Sequence, residues 1–456
     1  MTLSIQDRSP EVQAMAAHWP IADALLGGTA AMRAAGEVYL PMEAREDRDD
    51  YVRRLATATL FPAYRRTLGV MSGKPFSKAL TYGDTVPEVI RAYCQDVDMQ
   101  GRNLHTFASE LLLEALAYGV CGVLVEYPQA SQLKTLDDER RAGVRPYFVA
   151  IKHSDILGWQ QSRVNGAMRL TQLRLAETAE APDGPYGVKA VARVRVLTPG
   201  AWELWEKSAE GGYVLIEEGA NSLGGIPFVP LFGQRTGFMT GASPLLDLAH
   251  LNVKHWQQQS DQDDSARFAR KRLLVFTGMD NDDKIIAAAN YAVQLPQGAS
   301  AMVVQGSAES VTVGRTELEA LEAQMIQTGA ELLVSKPGQR SATEANNDAE
   351  ANKSDLQRIV EGFEDSLDAA LQHMADWVGL PEGGAVSLHK DFGAATLGEA
   401  SGQLVLAMQQ GGLLTKATAI REQQRRGLIA AEIDPELELD MVDAEGPSLG
   451  AMAGGA

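Results

Sequence analysis

The stretch 243–380 constrains the fold more than any other part of the chain. It reads as a long helix, a short β-rich excursion, a second helix, a polar break and a third long helix. The first helix opens in SPLLDLAHLNVKHWQQQSDQDDSARF. Ser243 is placed to cap it, Pro244 suits the first helical position, and Asp247 lies in the first turn, where negative charge favours the helix dipole. Neither Gly nor Pro interrupts 245–272; at about 1.5 Å per residue this run reaches roughly 40 Å. The second helix, TELEALEAQMIQTGAELLV, takes Thr316 as its cap, with Glu317 and Glu319 in its first turn. It returns the chain to where the first helix began. A helix pair joined by a small β module is a structural post, not a catalytic layout.

Within the excursion, LLVFTG, YAVQLP, MVVQG and SVTVG read as short strands, and DNDDKIIAAAN as a small helix or turn. DNDD resembles part of a calcium loop but lacks the Gly and the terminal Glu at the required spacing. It reads as a solvated turn. After the second helix, SKPGQRSATEANN is polar, and Pro337 and Gly338 stop the helix. Ser341 or Thr343 caps the third, whose apolar positions Leu356, Ile359, Val360, Phe363, Leu367, Ala370, Leu371, Met374 and Val378 recur at three and four. That spacing makes one apolar stripe. The first turns of this helix are wholly polar and face solvent or a channel.

The preceding 243 residues mix helix and strand. Ser9 and Pro10 start a helix, and an acidic loop leads into a second whose Arg53, Arg54, Arg65 and Arg66 read as solvated-face charges. Asn103 or Gly101 starts another, and VLVEY follows as a strand. From Met168 to Val229 the alternation is β, in MRLTQLRLAE, VKAVARVRVLT, AWELWEK and YVLIEE, separated by GPYG, PG and GG. The C-terminal part holds two or three short helices, one capped by Thr415, and past Ile433 an acidic, then Gly/Ala-rich tail reads as disordered. The fold class expected is α+β.

Length and composition allow two to four packed modules. The two cysteines, Cys94 and Cys121, fit buried thiols in a reducing compartment, not a disulfide framework. No secretory signal is visible in MTLSIQDRSPEVQ, and LLLEALAYGVCGVLVEYP, interrupted by Glu114, is a buried helix passing into a buried strand, not a membrane span. The net charge of −19 offers no basic face for gripping DNA phosphates. Either nucleic acid is irrelevant, or it must pass without being held.

The sequence carries no phosphate-loop, zinc-helix or redox-pair signature. It contains no GxxxxGK[ST], HExxH or CxxC, and His250 and His255 miss the four-residue spacing of a zinc helix. Asp263 and Asp264 could bind a divalent ion but read as solvated carboxylates. No catalytic residue, metal ligand or cofactor is expected. The basic end of the first long helix, Arg267, Arg270, Lys271 and Arg272, reads equally as complementation of the helix dipole and as a rim meeting DNA or an acidic partner.

The order of elements resembles the portal proteins of tailed bacteriophages. The segments that carry the resemblance are VYLP, FPAYRRTLGVMSGKPF, ALAYGVCGVLVEYP, HLNVKHWQQQSDQDDSARFARKRLLVFTG, ALEAQMIQTGAELL, SATEANNDAE and a HKDF-like segment, spread over nearly the whole chain. The resemblance implies a ring, usually a dodecamer, at one vertex of a capsid. It implies a wing at 1–243, stem helices at 244–270 and 314–335, and a clip at 271–313. A tunnel loop at 336–348, a long wing helix at 349–380, and a short crown with its tail at 381–456 complete the assignment. Lys336 and Arg340 would then be the candidates for DNA contact, and Arg267, Arg270, Lys271 and Arg272 a clip-proximal rim. The implied partners are further copies of the chain, a major capsid or scaffolding protein, the terminase large subunit, a head–tail adaptor, and double-stranded DNA passing without sequence specificity. No membrane is implied; the location is the virion, and the host cytoplasm during assembly. ATP hydrolysis would belong to the partner motor. The alternatives are another head–tail connector or capsid-associated ring protein, and an acidic cytosolic enzyme.

Overall fold

A computed structural model describes residues 3–128, 143–208, 210–270, 273–278, 298–304, 308–331, 354–390, 392, 409, 414–425, 429 and 433–445. The architecture is α+β. Helices dominate the first quarter: α1 (Pro10–Ala16), α2 (Trp19–Leu26), α3 (Gly28–Ala35), α4 (Arg48–Thr57), α5 (Ala63–Gly73), α6 (Glu88–Tyr93) and α7 (Leu104–Tyr118). Ser9 Oγ accepts from the Val12 N–H at the start of α1, and Asn103 Oδ1 from the Thr106 N–H at the start of α7. α7 ends at Gly119, where φ is 91° and a side chain would lie 2.7 Å from the Ala242 backbone. Only glycine meets both conditions.

From that turn the chain enters β2 (Val120–Glu126), the middle strand of a three-stranded antiparallel sheet. Its neighbours are β3 (Tyr147–Ile151) and β9 (Phe228–Phe232). β2 is buried on both faces. Cys121, Val123 and Val125 enter the larger core with α5, α7 and the later long helices; Val120 and Leu124 enter a second core against α1. Two cores on one strand explain why VCGVLV is continuously apolar. Gly122 is dictated by its neighbour, since a Cβ there would lie 2.2 Å from the Phe228 ring.

Beyond β3 a five-stranded antiparallel meander follows in sequence order: β4 (Ile156–Val164), β5 (Ala167–Asp183), β6 (Gly187–Thr198), β7 (Ala201–Lys207) and β8 (Tyr213–Ala220). Its base, through Ile156, Leu173, Leu175 and Leu197, closes the second core, while its far end is exposed. Three small ladders complete the sheets. β1 (Thr81–Tyr82) pairs with β14 (Val386–Ser387), β10 (Gln234–Arg235) with β11 (Gly241–Ala242), and β12 (Leu273–Thr277) with β13 (Ser300–Val304).

The long helices are α8 (Leu246–Arg270), α9 (Ala308–Glu331) and α10 (Asp355–Val378). Two short ones follow, α11 (Lys416–Arg425) and α12 (Pro435–Glu445). Several expectations change. α8 starts at Leu246, because Ser243 Oγ accepts from the Leu245 N–H in a turn and donates to the Leu116 carbonyl. α9 starts eight residues before Thr316, so SVTVG is helical, not a strand. Packing against α8 overrides its β-branched composition, and Thr316 lies inside the helix, donating to the Thr312 carbonyl. α10 is capped by Ser354 through a reciprocal box with Gln357; Ser341 and Thr343 lie outside the described residues, as do YAVQLP and DNDDKIIAAAN. The acidic segment after Ile433 forms α12, with Pro435 in first position, Glu436 and Glu438 in the first turn and Asp434 accepting from the Glu436 N–H. Negative charge at a helix N-terminus stabilises it.

Candidate functional site

The α8–α9 pair divides into a buried end and an outer end. Leu248, Ala249, Asn252, His255, Trp256 and Ser260 are buried, and beyond Ser260 the helix has no buried residue. Asn252 is fully buried and makes two bonds to the start of α5: Oδ1 accepts from the Tyr64 N–H at 2.9 Å, and Nδ2 donates to the Phe61 carbonyl at 2.9 Å. His255 Nε2 lies 3.1 Å from Glu322 Oε1 on α9, with its ring against Phe61. Farther out, Gln262 Nε2 donates to the Val311 carbonyl at 2.7 Å. These two cross-links, 255 to 322 and 262 to 311, make the helices antiparallel.

Arg54 departs from the expected solvated charge. It is 4% exposed and pairs at 2.7 Å with Glu46, donates to the Pro41 carbonyl and lies 3.6 Å from Asp261 on α8. The Arg54 hydrogen bond holds the Glu46 carboxyl below its usual range. Burial pushes Asp261 up, against the pull of Arg54. Arg53, Arg65 and Arg66 are exposed, as expected.

Between the outer halves of α8 and α9 lies a groove of ≈ 610 Å³. Asp261, Glu309 and Glu317 line it with Gln258, Gln262 and Ser265, and no Lys or Arg does among the described residues. Its polarity is acidic. At the outer end of α8, Arg267 pairs with Asp264 at 2.6 Å and reaches Thr57 Oγ1, while Arg270 Nε donates to the Ala266 carbonyl of its own helix. Asp263 accepts from Gln259. Lys271, Arg272, Lys336 and Arg340 lie outside the described residues; of the expected candidates only Arg267 and Arg270 are described, and each bonds within or beside α8. Beyond α8, β12 and β13 pair in register, with Met302 and Val303 exposed.

Elsewhere the titratable groups are tied to structure. Burial pushes the Cys94 thiol up to about 12 and Cys121 well above its ordinary value, and both are free thiols. His153 Nδ1 lies 2.6 Å from Glu114, its ring stacked on Tyr118 and edge-on to Trp19. Glu364 on α10 is buried; it accepts from the Leu388 N–H at 2.6 Å and pairs with Lys390 at 2.7 Å, fastening the HKDF segment to the helix. A partly open, largely apolar pocket of ≈ 390 Å³ lies among Met15, Trp19, Tyr64, Tyr118 and Leu246. Among the described residues no group of three or more His, Cys, Asp or Glu side chains could hold a metal ion, and no helix is long and apolar enough to cross a membrane.

Sequence reasoning missed Asn252, His255, Arg54 and Glu364. The signal for the first two was present: they continue the three–four spacing of Leu245, Leu248, Ala249 and Trp256, which marks them as buried despite their polarity.

No curated protein matches the sequence. Residues 244–378 match a family model described as "Domain of unknown function (DUF4055)", a match that begins just before α8 and ends with α10. Solved structures similar to the chain include one described as the neck of a native GTA particle computed with C12 symmetry, at 12% identity and a TM-score of 0.37, covering 85% of this chain and 98% of that one. Another belongs to the virion of a native gene transfer agent particle, at 11% identity and a TM-score of 0.37, covering 86% and 97%.

Proposed function

We propose that the chain is a ring-forming portal protein at one capsid vertex of a tailed phage or phage-like particle. Double-stranded DNA passes through its axis during packaging and ejection. The observation that carries this reading is the α8–α9 pair. It is an antiparallel post rooted in the N-terminal α/β body by Asn252, His255 and Trp256, with an acidic groove between its outer halves and a β pair beyond α8. In a ring such posts stand side by side as staves. An acidic wall suits passage, because each phosphate neutralised by a fixed cation releases counterions and deepens a trap for the moving polymer.

In this reading 1–243 is the wing, 244–270 and 314–335 are the stem, and 271–313 is the clip that docks the terminase large subunit and later the head–tail adaptor. The tunnel loop spans 336–348, where Lys336 and Arg340 meet DNA, and 349–380 crosses back into the wing. The crown lies within 381–456. A major capsid or scaffolding protein surrounds the ring, which has twelve copies, assembles in the host cytoplasm and ends in the virion. The chain catalyses no reaction; the motor hydrolyses ATP.

Electron microscopy and native mass spectrometry of the purified full chain test this. Rings with an axial hole wide enough for duplex DNA are expected; monomers persisting at micromolar concentration, with turnover of a substrate, overturn the reading. Deleting 336–342 should leave rings intact and impair retention or completion of packaged DNA. Loss of oligomerisation on that deletion would remove the loop assignment.

A further inference from the structure

The five-stranded meander has two free edges of opposite character. Among the described residues β8 pairs only with β7, and β4 only with β5. On β8, residues 214–218 are all exposed, and Val214, Leu215 and Ile216 form an apolar run at 55%, 38% and 46% exposure. On β4, residues 160–164 are all exposed. An edge strand with bare backbone and exposed apolar side chains is a template for another strand, and soluble chains ordinarily protect such edges. The charges differ in sign. Glu217 and Glu218 follow the apolar run on β8. Arg163 stands on β4 and Arg169 beside it on β5, opposite Ser162; all four are exposed.

We propose that these edges join in trans: the β8 edge of one copy of this chain pairs with the β4 edge of the next, forming a continuous sheet between neighbours. The inference rests on the ring reading above and assigns one of its subunit contacts. Antiparallel pairing throughout five strands makes β4 and β8 run in the same direction, so a head-to-tail contact brings them together as parallel strands. Such a heterologous contact generates a ring when its rotation closes. The ladders place Gly219 level with Trp159, through Trp202, Leu197 and Leu173. Bare stretch meets bare stretch when the strands slide past one another, with 160–164 against 214–218, a stagger of the kind that tilted strands adopt around a closed ring. That register sets Arg163 against Glu217 and covers the apolar run.

Ser162→Cys combined with Ile216→Cys in the full chain tests the register, because the native thiols of Cys94 and Cys121 are buried. Mild oxidation or a short bismaleimide should give a ladder of covalent multimers, and either single cysteine alone should give none beyond dimers. Charge reversal supplies the second measurement. Arg163→Glu with Arg169→Glu, or Glu217→Lys with Glu218→Lys, should reduce ring formation at least about tenfold through like-charge contacts. Combining all four should restore it, which also shows that the variants fold. Rings that form normally in every reversal variant and show no ladder overturn the edge contact while leaving the ring reading standing. Wild-type chain that never oligomerises overturns both.

Discussion

α8 and α10 are almost equal in length, 25 and 24 residues, and bury themselves in different ways. α10 buries one stripe from end to end: Leu356, Val360, Phe363, Leu367, Ala370, Leu371 and Met374. α8 is buried only as far as Ser260, and half of its buried positions are polar. The first is held by apolar area, which the three–four spacing announces. The second is held by particular hydrogen bonds to α5 and α9. It leaves His255 Nδ1, Trp256 Nε1 and Ser260 Oγ buried without a partner among the described residues. A helix serving only as core has no reason to carry such groups or to bury nothing along its outer half. A helix that enters a body at one end and only skirts its surface at the other has to change character along its length, and α8 does so within one turn.

Stability measurements can break this contrast. The largest loss is expected from Phe363→Ala on α10. It removes a ring that is 1% exposed and leaves a cavity in the larger core, worth about 3–5 kcal/mol. Urea unfolding at fixed protein concentration reads it. A loss no greater than that of a surface variant would mean that the α10 stripe is not the main contact. Glu46→Gln comes next. It removes the nearest charged partner of the buried Arg54 guanidinium, leaving only Asp261 at 3.6 Å among the described ion pairs, at a loss of about 3 kcal/mol. The folded pKa of Glu46 is depressed, so its contribution is fully present above the ordinary carboxylate value of 4.5 and is lost as the pH falls through the depressed one. The gap between wild type and variant should therefore narrow below about pH 4.5. A constant gap would assign the loss to packing.

These two helices also show how far the fold was legible. The α10 stripe could be read residue by residue, because apolar side chains at helical spacing have one economical destination. Cap chemistry identified Ser9 and Thr415 and offered Asn103 beside Gly101; Ser9, Asn103 and Thr415 each have a side-chain oxygen accepting from the third residue on. What could not be read was long-range compensation. Glu364 looks like any surface glutamate until Leu388 and Lys390 are brought to it from two dozen residues away. Arg54 looks solvated until Glu46 and Asp261 close on it. The helical state of SVTVG depends on α8, because local propensity favours a strand there. Of the candidate site, the helix pair was legible, and so was the overall excess of negative charge. The acidic lining of the groove arises only when 258–265 and 309–317 face each other.

Asn252→Ala sharpens the contrast at the rooted end. The Tyr64 N–H and the Phe61 carbonyl both lose their partner in a buried site, and unsatisfied buried groups put the loss at about 2–3 kcal/mol. No stripe residue of α10 would show this dependence on a single polar atom pair. Hydrogen exchange at the Tyr64 amide gives a local readout: protection there should fall, and unchanged protection would show that α5 is capped without Asn252.

The smallest effect should lie where α8 leaves the body. Asp261 sits there, its side chain 59% exposed, near Arg54 but crowded by Glu43, Asp264 and Glu46. Burial is the main cause of its raised pKa, with those carboxylates adding to it and Arg54 opposing. The sign is opposite to that of Glu46. A raised folded pKa means that the ionised form opposes folding; that penalty is absent below the ordinary value of 3.8, grows as the pH rises through the raised one, and is complete at neutrality. Asp261→Asn should thus leave stability at pH 7 equal to wild type or slightly higher, within about 0.5 kcal/mol, and the difference should vanish in acid. A clear loss at neutral pH would make Asp261 a working partner of Arg54, and the rooted part of α8 would then extend one residue beyond Ser260.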